Sequence, residues 1–328
     1  MTFPIYRRQG AVLFLDDDVD FLVTVGDVLP LSWPVLLSIR PTMTVAKLTV
    51  EKAALNTEIQ SFNQIVQRWR EGKALIPQIL RYWEQDGTKR FNSIRVFATD
   101  YSMPLMNGVQ VLEQIAPWVG SRILLTGQAD EQLAVKAFNA GLIDRFIPKQ
   151  SPDLITDLQT TIWSHLRKPI TQLEQIWHQT LSAAQARYFD DPGVSNFLEK
   201  LSVADNWIEH VVIGSPFGIL ALKNSGDIRW IQLEPEDHLH DLAELAAIEG
   251  VDDHRVQCIR RGETLVALEL HQCLGQQHAL MSETAFLIEG EFHHLYAADF
   301  LCTDASRPGH NQSFDMFLAR HASRQVQE

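Results

Sequence analysis

Apolar residues recur in two rhythms along the chain. Short, mostly apolar runs of strand length fall at 11–15 (AVLFL), 35–39, 94–100, 122–126 (RILLT) and 144–148. Between them apolar positions return every three or four residues, the period of an amphipathic helix. Phe21, Leu22, Val25 and Leu29 share one face after the first run, and Val111, Leu112 and Ile115 share another after the third. Residues 129–140 and 153–163 read as two more helices, the former closing at Gly141. Strands alternating with helices predict an α/β unit: a doubly wound, five-stranded parallel sheet of the flavodoxin-like kind over residues 1–166.

One stretch interrupts this alternation. Leu55, Ile59, Phe62, Val66 and Trp69 follow one another at spacings of four and three, a heptad-like seam on a long helix. Gly72 ends it, and Ile76, Ile79, Leu80 and Trp83 mark a second helix. A helical insertion at about 44–90 is therefore expected, its two helices antiparallel with their seams buried on each other; a partner-docking surface is the alternative. Beyond residue 166, Ile170, Leu173, Trp177, Leu181, Ala184 and Tyr188 describe a further seam, which ends at Asp191-Pro192-Gly193. Residues 167–190 thus read as one linker helix, with Leu173, Trp177, Leu181 and Tyr188 as its homodimerisation face and packing against its own domains as the alternative.

From 191 to 328 the pattern changes again. Strands are expected at 210–213, 219–222, 228–233, 265–270, 284–288 and 292–298, with one helix at 194–201 and an acidic one that opens at Pro235, turns Leu239, Leu242, Leu245 and Ile248 inward and closes at Gly250. Asn224-Ser225-Gly226-Asp227 supplies a hairpin turn. This predicts a C-terminal α+β domain built on an antiparallel sheet.

Charge separates the two regions. From Asp190 onward there are 23 acidic and 9 basic residues, a net of −14, against 18 acidic and 19 basic before it. A strongly anionic domain repels phosphate backbone, so a nucleic-acid output is disfavoured. No apolar run approaches the roughly 20 residues of a membrane span, and the N-terminus lacks a signal-peptide pattern. Cys258, Cys273 and Cys302 lie far apart with no C-x-x-C spacing, which predicts reduced thiols in a cytoplasm. The second region carries no phosphate-binding glycine loop, metal motif or nucleophile motif, and it is not read as an enzyme.

Candidate chemistry gathers at the strand ends of the first region. Asp16 and Asp17 follow the first strand, Asp100 ends the third, Thr126 the fourth, and Lys149 follows the fifth. In a parallel sheet these ends share one edge, where open α/β sheets bind ligands. Carboxylates crowded there repel one another unless a cation sits among them, and a hard divalent ion such as Mg²⁺ suits oxygen ligands and phosphate. Asp17 and Asp100, with the backbone carbonyl of Ser102, would ligate it. Asp100 would then be a carboxylate nucleophile toward a phosphoryl group, whose oxygens Thr126 and Lys149 would hold.

Four separated motifs carry a family resemblance: LFLDDDVDF from Leu13, DYSMPLMNG from Asp100, ILLTG from Ile123 and RFIPK from Arg145. Over residues 12–166 the chain resembles the receiver domains of two-component response regulators. By that resemblance Asp16 and Asp17 are the acidic metal pair, Asp100 the phosphoacceptor and Thr126 the switch hydroxyl. Phe146 is the switch aromatic and Lys149 the invariant lysine. The resemblance implies Mg²⁺ as cofactor and a sensor histidine kinase or phosphotransfer protein as partner. Two features depart from it: Gln150 stands where receivers carry proline, and the helical insertion is far longer than the single helix usual there. A pseudo-receiver that keeps only the fold is the alternative. GLIDRF from Gly141 and GILALKNSGDIRWI from Gly218 further resemble response regulators with an uncharacterised α/β output domain, the Legionella quorum-sensing type among them. For that output domain an interaction or ligand-binding module is expected, with an uncharacterised enzyme or a nucleic-acid effector as alternatives.

Overall fold

The short apolar runs fold as strands and the three-and-four runs as helices. The computed structural model describes residues 2–85, 87–127, 131–274, 280–302, 313–321 and 326–327. They group into two units that interleave along the chain. One comprises Gln9–Glu58, Asp86–Lys168 and Asp315–Glu328; the other comprises Met1–Arg8, Ile59–Gln85 and Pro169–Phe314. This interleaving departs from the consecutive segments 1–166, 167–190 and 191–328 read from the sequence.

In chain order the strands are β1 (Tyr6–Arg8), β2 (Ala11–Leu15), β3 (Val35–Ser38), β4 (Ile94–Asp100), β5 (Ser121–Thr126), β6 (Arg145–Pro148) and β7 (Trp207–Gly214). There follow β8 (Phe217–Lys223), β9 (Ile228–Pro235), β10 (Thr264–Val266), β11 (Ser282–Thr284), β12 (Phe286–Glu289), β13 (His294–Leu301) and β14 (Val326–Gln327).

The first unit holds a parallel sheet in the order β14-β3-β2-β4-β5-β6. Side chains alternate across a strand, so each strand feeds two cores. Val12 and Phe14 of β2 join Val96, Ala98, Ile123 and Leu125 on one face, covered by Leu22 and Val25 of helix Val19–Val28 and by Leu158 and Ile162 of helix Leu154–Leu166. Leu13 and Leu15 join Phe97 and Leu124 on the other, covered by Val111 and Leu112 of helix Gly108–Gln114 and by Ala134 of helix Glu131–Asn139. Helices on both faces make the sheet doubly wound, as the alternation predicts. Ala129, expected to open the last of these helices, lies outside the described residues. The sixth strand, β14, was not legible, because two residues leave no periodicity to read.

The second unit holds an antiparallel sheet in the order β1-β7-β8-β9-β13-β12, with β10 and β11 paired separately. Its first strand comes from the start of the chain. Arg7 and Arg8 are buried there, and Arg7 is matched by Glu199 at 2.7 Å and Ser202 at 2.9 Å. The strand expected at 265–270 needs correction: β10 stops at Val266 and Leu268–Leu274 is helical.

Two helical expectations also change. The long helix is present as Pro41–Arg70, but its residues from Ile59 onward belong to the second unit, whereas its first part belongs with the parallel sheet. Phe62 lies edge-on to Tyr82 of helix Leu75–Trp83 at 4.9 Å, and likewise to Tyr6 at 5.2 Å and Trp177 at 5.0 Å. Leu55, Ile59 and Trp69 are only half-buried. The single linker helix does not form. Helices Thr171–His178 and Ala183–Asp190 replace it, because the Ser182 side chain and Gln185 close a capping box that starts a new helix. Leu173 and Trp177 are buried within their own unit, and Leu181 and Tyr188 are half-buried. Two of the four residues expected on a dimer face are therefore turned inward, as packing of this segment within its own unit requires.

Candidate functional site at the carboxyl edge of the parallel sheet

Strand register assembles the site. Leu15 of β2 lies beside Thr99 of β4, which puts Asp16 next to Asp100. Asp100 in turn lies beside Leu125, and Thr126 beside Pro148, so Thr126 and Lys149 follow on the same edge. The turn after Asp100 is set by glycine: Gly108 N–H donates to the Tyr101 carbonyl at 3.0 Å, and a Cβ there would lie 2.1 Å from the Asp100 carbonyl oxygen. Only glycine fits that approach. Asn107 and Gln110 then close a capping box that launches helix Gly108–Gln114.

The Lys149 ammonium bridges two carboxylates, 2.6 Å from Asp100 Oδ1 and 2.7 Å from Asp16 Oδ2. It also sits 4.5 Å above the centre of the Phe21 ring. That aromatic contact was missed in the sequence; its only signal was an aromatic on the first turn after the aspartates. Lys149 reaches the carboxylates with Gln150 after it, held by its own amide donating to the Thr126 carbonyl at 2.9 Å. The other Asp100 oxygen accepts from the Ser102 amide at 2.6 Å. Oxygens of Asp16, Asp17 and Asp100 lie within 4.8 Å of one another, Asp17 exposed and the other two buried. The third aspartate of the run, Asp18, is a helix cap, accepting from the Phe21 amide at 3.0 Å. Thr126 is fully buried, and its hydroxyl has no hydrogen-bond partner among the described residues. Phe146 is half-buried and packs against the core that contains Leu124 and Ala134.

Electrostatics match this crowding. Burial pushes the Asp16 carboxyl up to about 6, against the pull of Lys149 and the Asp18 amide and with help from Asp100. Burial acts to lower the Lys149 ammonium, but its bonds to Asp100 and Asp16 outweigh it and the net shift is upward. A carboxyl raised in the fold contributes stability fully below its ordinary value of 3.8 and loses it as pH rises through about 6. Asp16→Asn keeps an acceptor for the Asp18 amide and removes that loss. The variant should therefore be more stable than wild type at pH 7 by on the order of 2 kcal/mol, with the gain vanishing below about pH 4. Urea melts at the two pH values check this.

Beside Asp17 a cavity of about 310 Å³ is lined by Ile39, Arg40, Met103, Leu105 and Met106 among others. The arrangement thus offers oxygen ligands for a hard cation, a carboxylate nucleophile, an ammonium, an orphaned hydroxyl and room for a donor group.

A parallel sheet in this order, with aspartates, a threonine and a lysine on its carboxyl edge, has the architecture of a response-regulator receiver. No family model matches the chain, and no curated protein does. Among solved structures it is similar in fold to the Legionella pneumophila response regulator LqsR, at 21% identity over 97% of each chain with a TM-score of 0.65. Shorter alignments reach a response regulator receiver domain protein from Clostridium thermocellum (21% identity, 48% of this chain and 94% of that one, TM-score 0.31). Another reaches a CheY-like receiver domain protein from Methanospirillum hungatei (19% identity, 51% and 98%, TM-score 0.32).

Proposed function

We propose that the chain is a response regulator of a two-component phosphorelay that accepts a phosphoryl group on Asp100. The observation that carries this reading is the Lys149 ammonium held between Asp16 and Asp100 beside the orphaned Thr126 hydroxyl. An Asp100 oxygen attacks the phosphorus of a phosphohistidine, the P–N bond breaks with its electron pair passing to nitrogen, and the ring, already protonated on its other nitrogen, leaves as neutral imidazole. Lys149 and Thr126 are placed to hold the phosphoryl oxygens as negative charge gathers on them. Asp16, Asp17 and Asp100, with the Ser102 carbonyl, would hold Mg²⁺, and a set of clustered carboxylate oxygens fits that hard ion. Bound there, Mg²⁺ supplies charge neutralisation for the aspartates and the incoming phosphoryl group.

On this reading the physiological donor is a sensor histidine kinase or phosphotransfer protein in the cytoplasm. The acyl phosphate adds about −1.5 to −2 charges. Thr126 and Phe146 are the groups through which that change would reach the rest of the chain, switching an interaction or ligand-binding output in the second unit. Acetyl phosphate with Mg²⁺ is expected to add one phosphoryl group to wild type and none to Asp100→Ala, read by intact-mass spectrometry. Equal labelling of both would refute the assignment.

A further inference from the structure

Between Pro235 and His254 the chain carries seven acidic residues and neither lysine nor arginine. Most of this stretch is helix Leu239–Ile248, whose inner face (Leu239, Leu242, Ala243 and Ala246) is buried. Its outer face is not simply polar. Leu245 and Ile248, expected to face inward, are instead 55% and 79% exposed, three residues apart and so on one stripe. Asp241 precedes Leu245 by four residues and Glu244 precedes Ile248 by four, so each aliphatic side chain has a carboxylate one turn above it. Below Ile248 come Glu249, Asp252 and Asp253.

Part of this charge has a local explanation. Asp241 suits the helix N-terminus, and Asp252 caps the next helix through the Arg255 amide at 3.1 Å. Glu244 pairs with His240 one turn earlier at 3.0 Å, and Asp252 also meets the Arg255 guanidinium at 3.5 Å; Glu249 has no such role among the described residues. The last turn of the helix holds no basic residue, and Glu249 sits at the end where the macrodipole is already negative. The result is an aliphatic pair set in an anionic field on a helix whose packing holds it still.

We propose that this surface docks a cationic amphipathic segment of a partner protein, with Leu245 and Ile248 as the apolar contact and the surrounding carboxylates selecting lysine and arginine. Other occupants fit less well. Nucleic acid and anionic membranes share its sign of charge and are repelled. For a metal ion, the only three-ligand cluster among the described residues is Asp16, Asp17 and Asp100, elsewhere in the chain. The proposal does not depend on phosphorylation of Asp100.

The test titrates the full chain against a labelled helical peptide with leucine on one face and lysine on the other, read by fluorescence anisotropy. Two controls are a scrambled peptide of the same composition and a helix with glutamate in place of lysine. The leucine–lysine helix should bind and weaken about tenfold between low salt and about 0.3 M. The scrambled and glutamate peptides should bind far more weakly. The double variant L245S/I248S and the single variant E244K should each lower affinity about tenfold or more, with melting temperatures confirming that both remain folded. The proposal is overturned if the leucine–lysine helix does not bind, if either control peptide matches it, or if the folded variants bind as wild type does.

Discussion

Lys149→Met should destabilise the parallel-sheet unit by about 3 kcal/mol at pH 7.5, near the lower end for breaking a buried ion pair, because the lysine side chain keeps 22% exposure. The substitution retains the bulk of the aliphatic stem and removes only the charge that Asp16 and Asp100 share. Two buried carboxylates then face each other uncompensated, and Asp16, already raised to about 6, must rise further. The pH dependence follows. Lysine raised above its ordinary 10.5 contributes its stability throughout the neutral and acid range and loses it only above that value. The deficit of the variant should instead be small where the Asp16 carboxyl is protonated, near pH 4, and grow as pH climbs past 6. Mg²⁺ should narrow it, since a ligand bound only to the folded state stabilises by about 2.7 kcal/mol at a hundredfold its Kd. Chemical denaturation at pH 4.5 and 7.5, with and without Mg²⁺, measures all three effects. A variant as stable as wild type at pH 7.5 would show that the bridge is incidental.

The site was legible because its residues sit at places where a linear pattern has a fixed spatial meaning. A short apolar run ending in a polar residue marks a strand's carboxyl end, and parallel register carries those ends to one edge. Gly108 closes the DYSMPLMNG motif at a turn whose backbone comes too near Asp100 to admit a Cβ. What escaped were features whose cause is distant in sequence. β1 carries two adjacent arginines in three residues, and its burial is explained only by Glu199 and Ser202 around Arg7. β14 is too short to announce itself. The run from Ile170 to Tyr188 kept helical spacing across a break, and there a local signal was present: Ser182 and Gln185 have the spacing of a capping box. Hydrophobic period outweighed it in the sequence reading, yet the cap decides where a helix starts.

Asp191→Ala should cost the second unit about 3–5 kcal/mol, more than loss of a helix cap alone. In addition to opening helix Pro192–Ala204, its carboxylate ties down the turn between β12 and β13. Oδ1 accepts from the amides of Gly193 at 2.9 Å, Val194 at 3.3 Å and Glu291 at 2.9 Å; Oδ2 accepts from Phe292 at 2.7 Å and His293 at 3.1 Å. Alanine leaves these donors without their acceptor, and close packing of Gly290 against the Asp191 carboxyl leaves the turn little freedom to find others. Burial works to raise this carboxyl, but the converging amides prevail and bring it down to about 2. A carboxyl depressed in the fold contributes its stability above its ordinary 3.8 and loses it as pH falls through about 2. The gap between wild type and variant should therefore be constant from pH 7 to about 4 and narrow by about 2 kcal/mol between 4 and 2. Asp191→Asn separates charge from shape: one amide oxygen still accepts, so it should recover part of the loss at pH 7 but show none of the acid-side convergence of the aspartate. If alanine and asparagine prove equally stable and both match wild type at pH 7, the carboxylate does not hold the turn.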